Sequence, residues 1–113
     1  MKVAVIGSRG ISKVDLEKYP PTETTEIVSG GARGLDSVAR KYAQDKGIKL
    51  TEFLPEYDKL GRSAPLKRNI AITKYADKIL AFWDETSRGA KFVIDNCKQK
   101  SIPIRVFKLI DKI

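Results

Sequence analysis

The sequence predicts a single α/β domain, residues 1–113, in which helices cover both faces of a five-stranded parallel sheet. Apolar segments of strand length alternate with segments of helical periodicity along the chain. The first apolar run, residues 3–6, is continuous, as in strands that are buried on both faces. Strands that alternate with helices form right-handed crossovers, which make the sheet parallel. A length of 113 residues suits one core.

The first half of the chain begins with the strand at residues 3–6. A short helix is expected from Ser12, which opens an approximate capping box, and it ends at Pro20. A second strand at residues 26–28 precedes the clearest helix, whose apolar residues recur at i, i+3, i+4, i+7 and i+8. This stripe comprises Leu35, Val38, Ala39, Tyr42 and Ala43, with Gly47 as a C-terminal stop.

The second half of the chain contains two more helices. Ser63 can cap the first of them. The second has an apolar stripe of Ala90, Val93, Ile94 and Cys97, which makes Cys97 a core residue. In chain order, the predicted elements are a strand at 50–54, a loop at 55–62, a helix at 63–76, a strand at 78–83, a helix at 87–100 and a strand at 102–107.

Composition limits the possible sites and partners. The chain has no His and one Cys, so it can form neither an internal disulfide nor a His/Cys zinc site, and we expect no metal. No apolar stretch approaches the ~20 residues of a membrane span, and the N-terminal apolar run is too short for a signal sequence. We therefore expect a cytoplasmic protein with no membrane partner.

The net charge of +8, from 22 basic and 14 acidic residues, favours anionic partners. The alternative is that the surplus is solvated surface charge that serves solubility.

Three strand-to-helix loops, residues 7–10, 29–34 and 84–89, each combine glycine with arginine. In open parallel sheets, ligands bind beyond the carboxyl ends of the strands, where these loops lie. Glycines let backbone N–H groups approach an anion, the helix N-terminus adds partial positive charge, and arginine can bind phosphate with two hydrogen bonds. The alternative is that the glycines only permit tight turns and the arginines are solvated. Convergence of all three loops favours a phosphate-bearing ligand.

Catalytic motifs are scarce. The sequence has no GxxxxGK[ST] and no GxGxxG after its first strand. Because His is absent, acid-base chemistry would depend on carboxylates such as Asp36 and Asp84, and Asp36 can equally cap its helix. Arg68 and Asn69 could bind a base, ribose or phosphate. Trp83 could stack on a base or, more simply, close the core.

The segments VAVIGSR, IVSGGARGLDSVA, KRNIAI and ADKILAFWDETSRGA resemble the SLOG superfamily of Rossmann-like proteins, and most closely its short branch related to YspA and YpsA. The DNA-processing protein DprA (Smf) and the LOG phosphoribohydrolases are related members. The resemblance covers nearly the whole chain in order. It implies a three-layer fold with strand order 3-2-1-4-5 and a nucleotide or ADP-ribose-like ligand over the glycine loops. The matching ligand-facing positions are Gly7, Ser8, Arg9, Ser29, Gly30, Gly31, Arg33, Gly34, Asp36, Arg68, Asn69, Ser87, Arg88 and Gly89.

One departure from the LOG enzymes bears on catalysis. Their PGGxGTxxE signature is replaced by DETSRGA, and Val93 stands where the glutamate would be. Family members often pair, so a homodimer is expected.

Three functions follow from these observations. The leading hypothesis is a module that binds or senses a nucleotide-derived ligand. The second is single-stranded nucleic-acid binding, driven by the positive charge and by stacking on Tyr57 or Trp83. The third is hydrolysis of a nucleotide N-glycosidic or phosphate bond, with Asp36 or Asp84 as the acid or base.

Overall fold

A computed structural model of the protein describes residues 1–7, 16, 23–30, 35–54, 57–83, 85 and 88–108. Within these residues, strands and helices alternate from the second strand onward, as the sequence predicts. The strands are β1 (Lys2–Gly7), β2 (Glu26–Ser29), β3 (Lys49–Glu52), β4 (Lys78–Trp83) and β5 (Ile104–Lys108). The helices are α1 (Leu35–Lys46), α2 (Tyr57–Leu60), α3 (Ala64–Tyr75) and α4 (Arg88–Gln99), with a 3-10 turn at Gly61–Ser63.

All five strands belong to one sheet with the order β3-β2-β1-β4-β5, and every neighbouring pair is parallel. This arrangement confirms the predicted fold class and strand order. The first strand of the chain occupies the centre of the sheet, where Ala4 pairs with Val28 of β2 and Ile79 of β4. Strands β2 and β3 therefore lie on one side of β1, and β4 and β5 lie on the other.

Two hydrophobic cores lie on opposite faces of the sheet, because successive residues of a strand point to opposite sides. Val3 and Val5 contribute to the core beneath α1, whereas Ala4 and Ile6 contribute to the core beneath α3 and α4. The first core also contains Ile27, Ala39, Ala43, Leu80 and Phe82, and the second contains Val28, Ile72, Ile79, Ala81, Val93, Ile94 and Cys97. The protein thus has three layers, with α1 on one face and α3 and α4 on the other.

A glycine in a left-handed conformation accounts for the C-terminal end of α1. Gly47 ends α1 with a φ of +65°, a left-handed conformation that glycine adopts without a steric penalty. The stripe of α4 is buried as predicted, and burial raises the pKa of the Cys97 thiol. Leu16, from the predicted short helix near Ser12, is buried, and the rest of that segment lies outside the described residues.

Two local predictions were wrong. Ser63 occupies the N-cap position of α3, but its φ and ψ of −82° and −7° are already helical and its side chain makes no capping hydrogen bond. The segment predicted as a loop contains α2 and the 3-10 turn, which lead directly into α3. Helical geometry before Ser63 removes the extended conformation that a capping serine normally adopts.

None of the helices in the described residues combines the length and the apolarity that crossing a bilayer requires.

Candidate functional site

The carboxyl edge of the sheet gathers residues that are far apart in the sequence. Gly7 is the last residue of β1, Ser29 is the last residue of β2, and Trp83 is the last residue of β4. Because β1 lies between β2 and β4, these three strand ends are neighbours. The connection after β2 leads to α1 on one face and the connection after β4 leads to α4 on the other, which is the topology that opens a crevice at the strand ends.

Arg68 joins helix α3 to this edge. Its Nη1 donates a hydrogen bond of 2.9 Å to the carbonyl oxygen of Gly30, the residue that directly follows β2. Its Nε donates a second hydrogen bond of 2.7 Å to Oδ1 of Asn69. Both α3 side chains are half-buried. The Asn69 amide therefore orients the guanidinium group, and the guanidinium group holds the main chain at the exit of β2.

Gly30 fits this contact because it has no side chain. A Cβ atom at this position would lie 2.1 Å from Nη1 and 2.7 Å from Cζ of Arg68. Real Cβ atoms do not approach other heavy atoms so closely, so any other residue would displace the guanidinium group or the backbone. Gly30 is thus required for the close approach of Arg68.

Ser29 contributes its backbone to the sheet. Its side chain is fully buried, and its carbonyl oxygen accepts a 2.8 Å hydrogen bond from the N–H of Phe53, just past β3. In the described structure Ser29 therefore lies within the protein beneath the carboxyl edge.

The beginning of α4 lies at the same edge, since α4 follows β4. Arg88, its first residue, is exposed. Gly89 is half-buried, and among the described residues no heavy atom lies within 4 Å of a Cβ atom added there. Glu85, between β4 and α4, has a φ of +69°, a left-handed conformation that is costly for a residue with a side chain. Its carboxylate lies 3.3 Å from Nζ of Lys108 at the end of β5. Backbone strain of this kind is common at ligand-binding loops.

The structure therefore brings seven of the predicted site residues to one edge of the sheet, namely Gly7, Ser29, Gly30, Arg68, Asn69, Arg88 and Gly89. The backbone of Asp36 lies in the first turn of α1, and its side chain lies outside what the structure describes. The other predicted positions, Ser8, Arg9, Gly31, Arg33, Gly34, Asp84 and Ser87, lie outside the described residues.

The aromatic residues proposed for base stacking differ in their surroundings. Trp83 is half-buried and packs against the core beneath α3 and α4, as a core-closing residue does. The side chain of Tyr57 lies outside the described part of the chain. Phe92 on α4, which sequence patterning did not single out, is 41% exposed.

The amino edge of the sheet holds a polar cluster that sequence analysis missed. The buried carboxylate of Glu26 accepts hydrogen bonds from Tyr75 Oη at 2.5 Å and from Thr51 Oγ1 at 2.8 Å. Nζ of Lys49 lies 3.7 Å from the same carboxylate, and Nζ of Lys2 lies 4.2 Å from the centre of the Tyr75 ring. The only signal in the sequence was a charged residue at the start of an otherwise apolar strand.

Burial alone would raise the pKa of Glu26, because it disfavours the ionised form. The hydrogen bonds from Tyr75 and Thr51 and the charges of Lys49 and Lys2 outweigh burial and hold the pKa below its ordinary value. Glu26 is therefore an ionised, internally neutralised residue. Its neighbours serve the packing of α3 on the sheet.

Comparisons of this chain with protein-family models, with curated proteins and with solved structures found no match. Within the described residues, no three His, Cys, Asp or Glu side chains come together as metal ligands would.

Proposed function

We propose that this chain is a SLOG-type module that binds a nucleotide or nucleotide-derived ligand at the carboxyl edge of its sheet. The observation that carries the proposal is the meeting of glycine-bearing strand ends and helix starts at that edge. Gly7 ends β1, Gly30 follows β2, and Gly89 lies in the first turn of α4. The phosphate of the ligand would lie where these segments converge.

The chemistry of the edge favours a negative charge. Helices α1 and α4 both begin there, and the first N–H groups of a helix, together with its dipole, form a partial positive charge. Arg88 adds an exposed guanidinium group at the start of α4. The edge therefore favours a ligand that carries an anionic group, as a nucleotide does.

Binding or sensing is proposed rather than catalysis. The LOG signature is incomplete in this sequence, with Val93 at the position that matches its glutamate, and Val93 is buried in the core beneath α3 and α4. A buried valine cannot transfer a proton to a leaving group.

Calorimetric titration with a panel of AMP, ATP, NAD, ADP-ribose and cyclic dinucleotides tests the proposal. We expect saturable binding of at least one of these nucleotides, because contacts to the phosphate and to the sugar together give a higher affinity than either set of contacts alone. The Arg88→Gln variant should bind at least tenfold more weakly, since a charge-assisted hydrogen bond to phosphate is lost. Lys98→Gln removes the same charge near the opposite end of α4 and should change the affinity less than twofold. Absence of binding by the entire panel at millimolar concentration would contradict the proposal.

A second candidate function, binding of single-stranded nucleic acid, is favoured by the uneven distribution of charge. Helices α3 and α4, which share one face of the sheet, carry six basic and one acidic residue. Helix α1, on the other face, carries three basic and two acidic residues. Lys67, Lys74, Arg88 and Lys98 are exposed, and the Lys91 side chain is 62% exposed. The phosphate backbone would lie along α3 and α4, with a base stacked on Phe92.

Fluorescence anisotropy with a labelled oligothymidylate tests this candidate. If about four phosphates are neutralised, affinity should fall about 50-fold between 50 and 200 mM salt. Lys67→Gln combined with Lys91→Gln should reduce both the affinity and its salt dependence. The matched pair Lys41→Gln and Lys46→Gln on α1 should change neither. Equal losses in the two double variants, or binding that is independent of salt, would contradict it.

A further inference from the structure

We infer that Arg68 is a positioning residue, which fixes the main chain where it leaves β2, and that the phosphate contact belongs to the exposed Arg88 instead. This inference rests on the proposed function, because it assigns different tasks to two arginines at the same site. Sequence matching places both among ligand-facing residues. Their surroundings in the structure distinguish them.

The direction of the Arg68 side chain carries the first part of the inference. Two of its donors, Nη1 and Nε, form hydrogen bonds to Gly30 O and to Asn69 Oδ1 within the protein. The side chain is half-buried between α3 and the end of β2. A guanidinium group held at two points has a fixed plane and position. It therefore determines where the chain after Gly30 begins its course toward α1.

The shape of the Gly30 backbone carries the second part. The atoms Nη1, Cζ and Nε of Arg68 would lie 2.1, 2.7 and 3.2 Å from a Cβ atom at Gly30. The guanidinium group thus covers the Cα atom of Gly30 on the side where a side chain would project. A ligand cannot reach Gly30 from that side. We expect it to enter from the side of β1 and β4, next to Arg88.

A double-mutant cycle on protein stability tests the contact without any ligand. Gly30→Ala should increase the unfolding equilibrium constant about five- to tenfold, because the added methyl group pushes the guanidinium group away and breaks its hydrogen bond to the Gly30 carbonyl oxygen. In an Arg68→Ala background, the same substitution should increase it less than threefold. Gly89→Ala is the matched control, since no heavy atom in the described part of the chain lies within 4 Å of its added Cβ. It should leave the constant unchanged or lower it, because alanine favours helices. Additive effects of Gly30→Ala and Arg68→Ala would overturn the inference.

The salt dependence of ADP-ribose binding tests the division of tasks. Salt screens the attraction between a guanidinium group and the phosphates of ADP-ribose, and the charge nearest the phosphates contributes most to this dependence. Arg88→Gln should therefore weaken binding and reduce the salt dependence. Arg68→Gln should weaken binding but reduce the salt dependence less than Arg88→Gln does, because its charge lies farther from the phosphates in the proposed site. Arg68→Lys should resemble Arg68→Gln, since lysine keeps the charge but cannot hold both acceptors in one plane. Restored affinity in Arg68→Lys would overturn the inference.

Asn69→Ala provides a second variant in case Arg68→Gln does not fold. It removes only the acceptor that orients the guanidinium group, so it should weaken ADP-ribose binding severalfold with an unchanged salt dependence. A reduced salt dependence in Asn69→Ala would count against the inference. The two proposals fail in different ways: if no nucleotide binds, the proposed function is overturned as well. Additive stabilities in a protein that still binds ADP-ribose overturn only the role of Arg68.

Discussion

Strand β2 and helix α3 meet at both ends of the strand, and the two meetings differ in kind. At the amino end, Tyr75 of α3 reaches the Glu26 carboxylate, which also accepts from Thr51 and lies near Lys49. At the carboxyl end, Arg68 of α3 reaches the main-chain carbonyl of Gly30. The amino end is a group of side chains that neutralise one another. The carboxyl end ties down the start of a glycine loop. A polar cluster whose hydrogen bonds and charges are balanced among its own side chains indicates a role in packing. A charged side chain that holds the start of a loop indicates a role in a binding site.

The largest expected effect tests whether the contacts at both ends of β2 depend on the packing of α3 against the sheet. Ile72 is fully buried in α3, between Arg68 and Tyr75 in sequence. Ile72→Ala should lower the free energy of unfolding by about 2–5 kcal/mol, because it leaves a cavity between α3 and the sheet. Amide hydrogen exchange should rise at both ends of β2. Leu66→Ala, at an exposed position of the same helix, should cost less than about 1 kcal/mol. Faster exchange at only one end would show that the ends are independent.

A smaller effect is expected from removing one hydroxyl group at the amino end. Tyr75→Phe deletes the donor to the buried Glu26 carboxylate and should lower the free energy of unfolding by about 1–2 kcal/mol, as measured by urea denaturation. Nucleotide binding should not change. Tyr42→Phe makes the same change on α1, outside the Glu26 cluster, and should cost about 0.5 kcal/mol or less. A changed affinity for nucleotide in Tyr75→Phe would contradict the view that the amino end of β2 serves packing and only the carboxyl end serves binding.

The acid dependence of stability should belong to the amino end. The pKa of Glu26 is lowered in the folded protein and returns to the ordinary value of 4.5 when the chain unfolds. Well above pH 4.5 Glu26 is ionised in both states and its stabilising contribution is complete. The contribution is lost as the pH falls below that value and through the folded pKa. Glu26→Gln should flatten this part of the curve in urea titrations at successive pH values. An unchanged acid slope would mean that other carboxylates dominate.

The smallest effect is expected from an exposed ion pair that belongs to neither end. Nζ of Lys91 and Oδ2 of Asp95 on α4 are 3.9 Å apart, and the side chains are 62% and 63% exposed. Asp95→Asn should change the free energy of unfolding by about 0.5 kcal/mol or less, since solvent screens such pairs. The stability change in Asp95→Asn is the reference with which the change in Tyr75→Phe is compared. A loss of unfolding free energy as large as that of Tyr75→Phe would show that the Glu26 cluster contributes no more to stability than an exposed ion pair does.

Sequence reasoning succeeded where structure follows from local periodicity. The continuous apolar β1 and the stripe of α4 have only one way to bury their side chains on a parallel sheet, so the layers and the burial of Cys97 could be predicted. It failed at α2 and at Ser63, where short helical turns have no apolar stripe to reveal them.

The polar contacts at the two ends of β2 could not be predicted for a different reason. Arg68 and Gly30 are 38 residues apart, and Tyr75 and Glu26 are 49 residues apart. Whether a side chain of α3 reaches a given strand residue depends on how far the helix slides along the sheet. The sequence predicts that Arg68 faces a ligand, but its contact with the Gly30 carbonyl oxygen could not be identified without the structure.

The central place of β1 has a consequence for synthesis on the ribosome. β1 emerges before the other four strands, yet its residues 3–7 pair with β4 and its residues 2–4 pair with β2. A nascent chain that has completed β1, β2 and β3 still presents a bare apolar edge, because Lys78–Trp83 has not been translated. Exposed strand edges recruit other chains, so this interval is the time of greatest risk of aggregation. The β1 edge must therefore stay shielded until β4 has been synthesised.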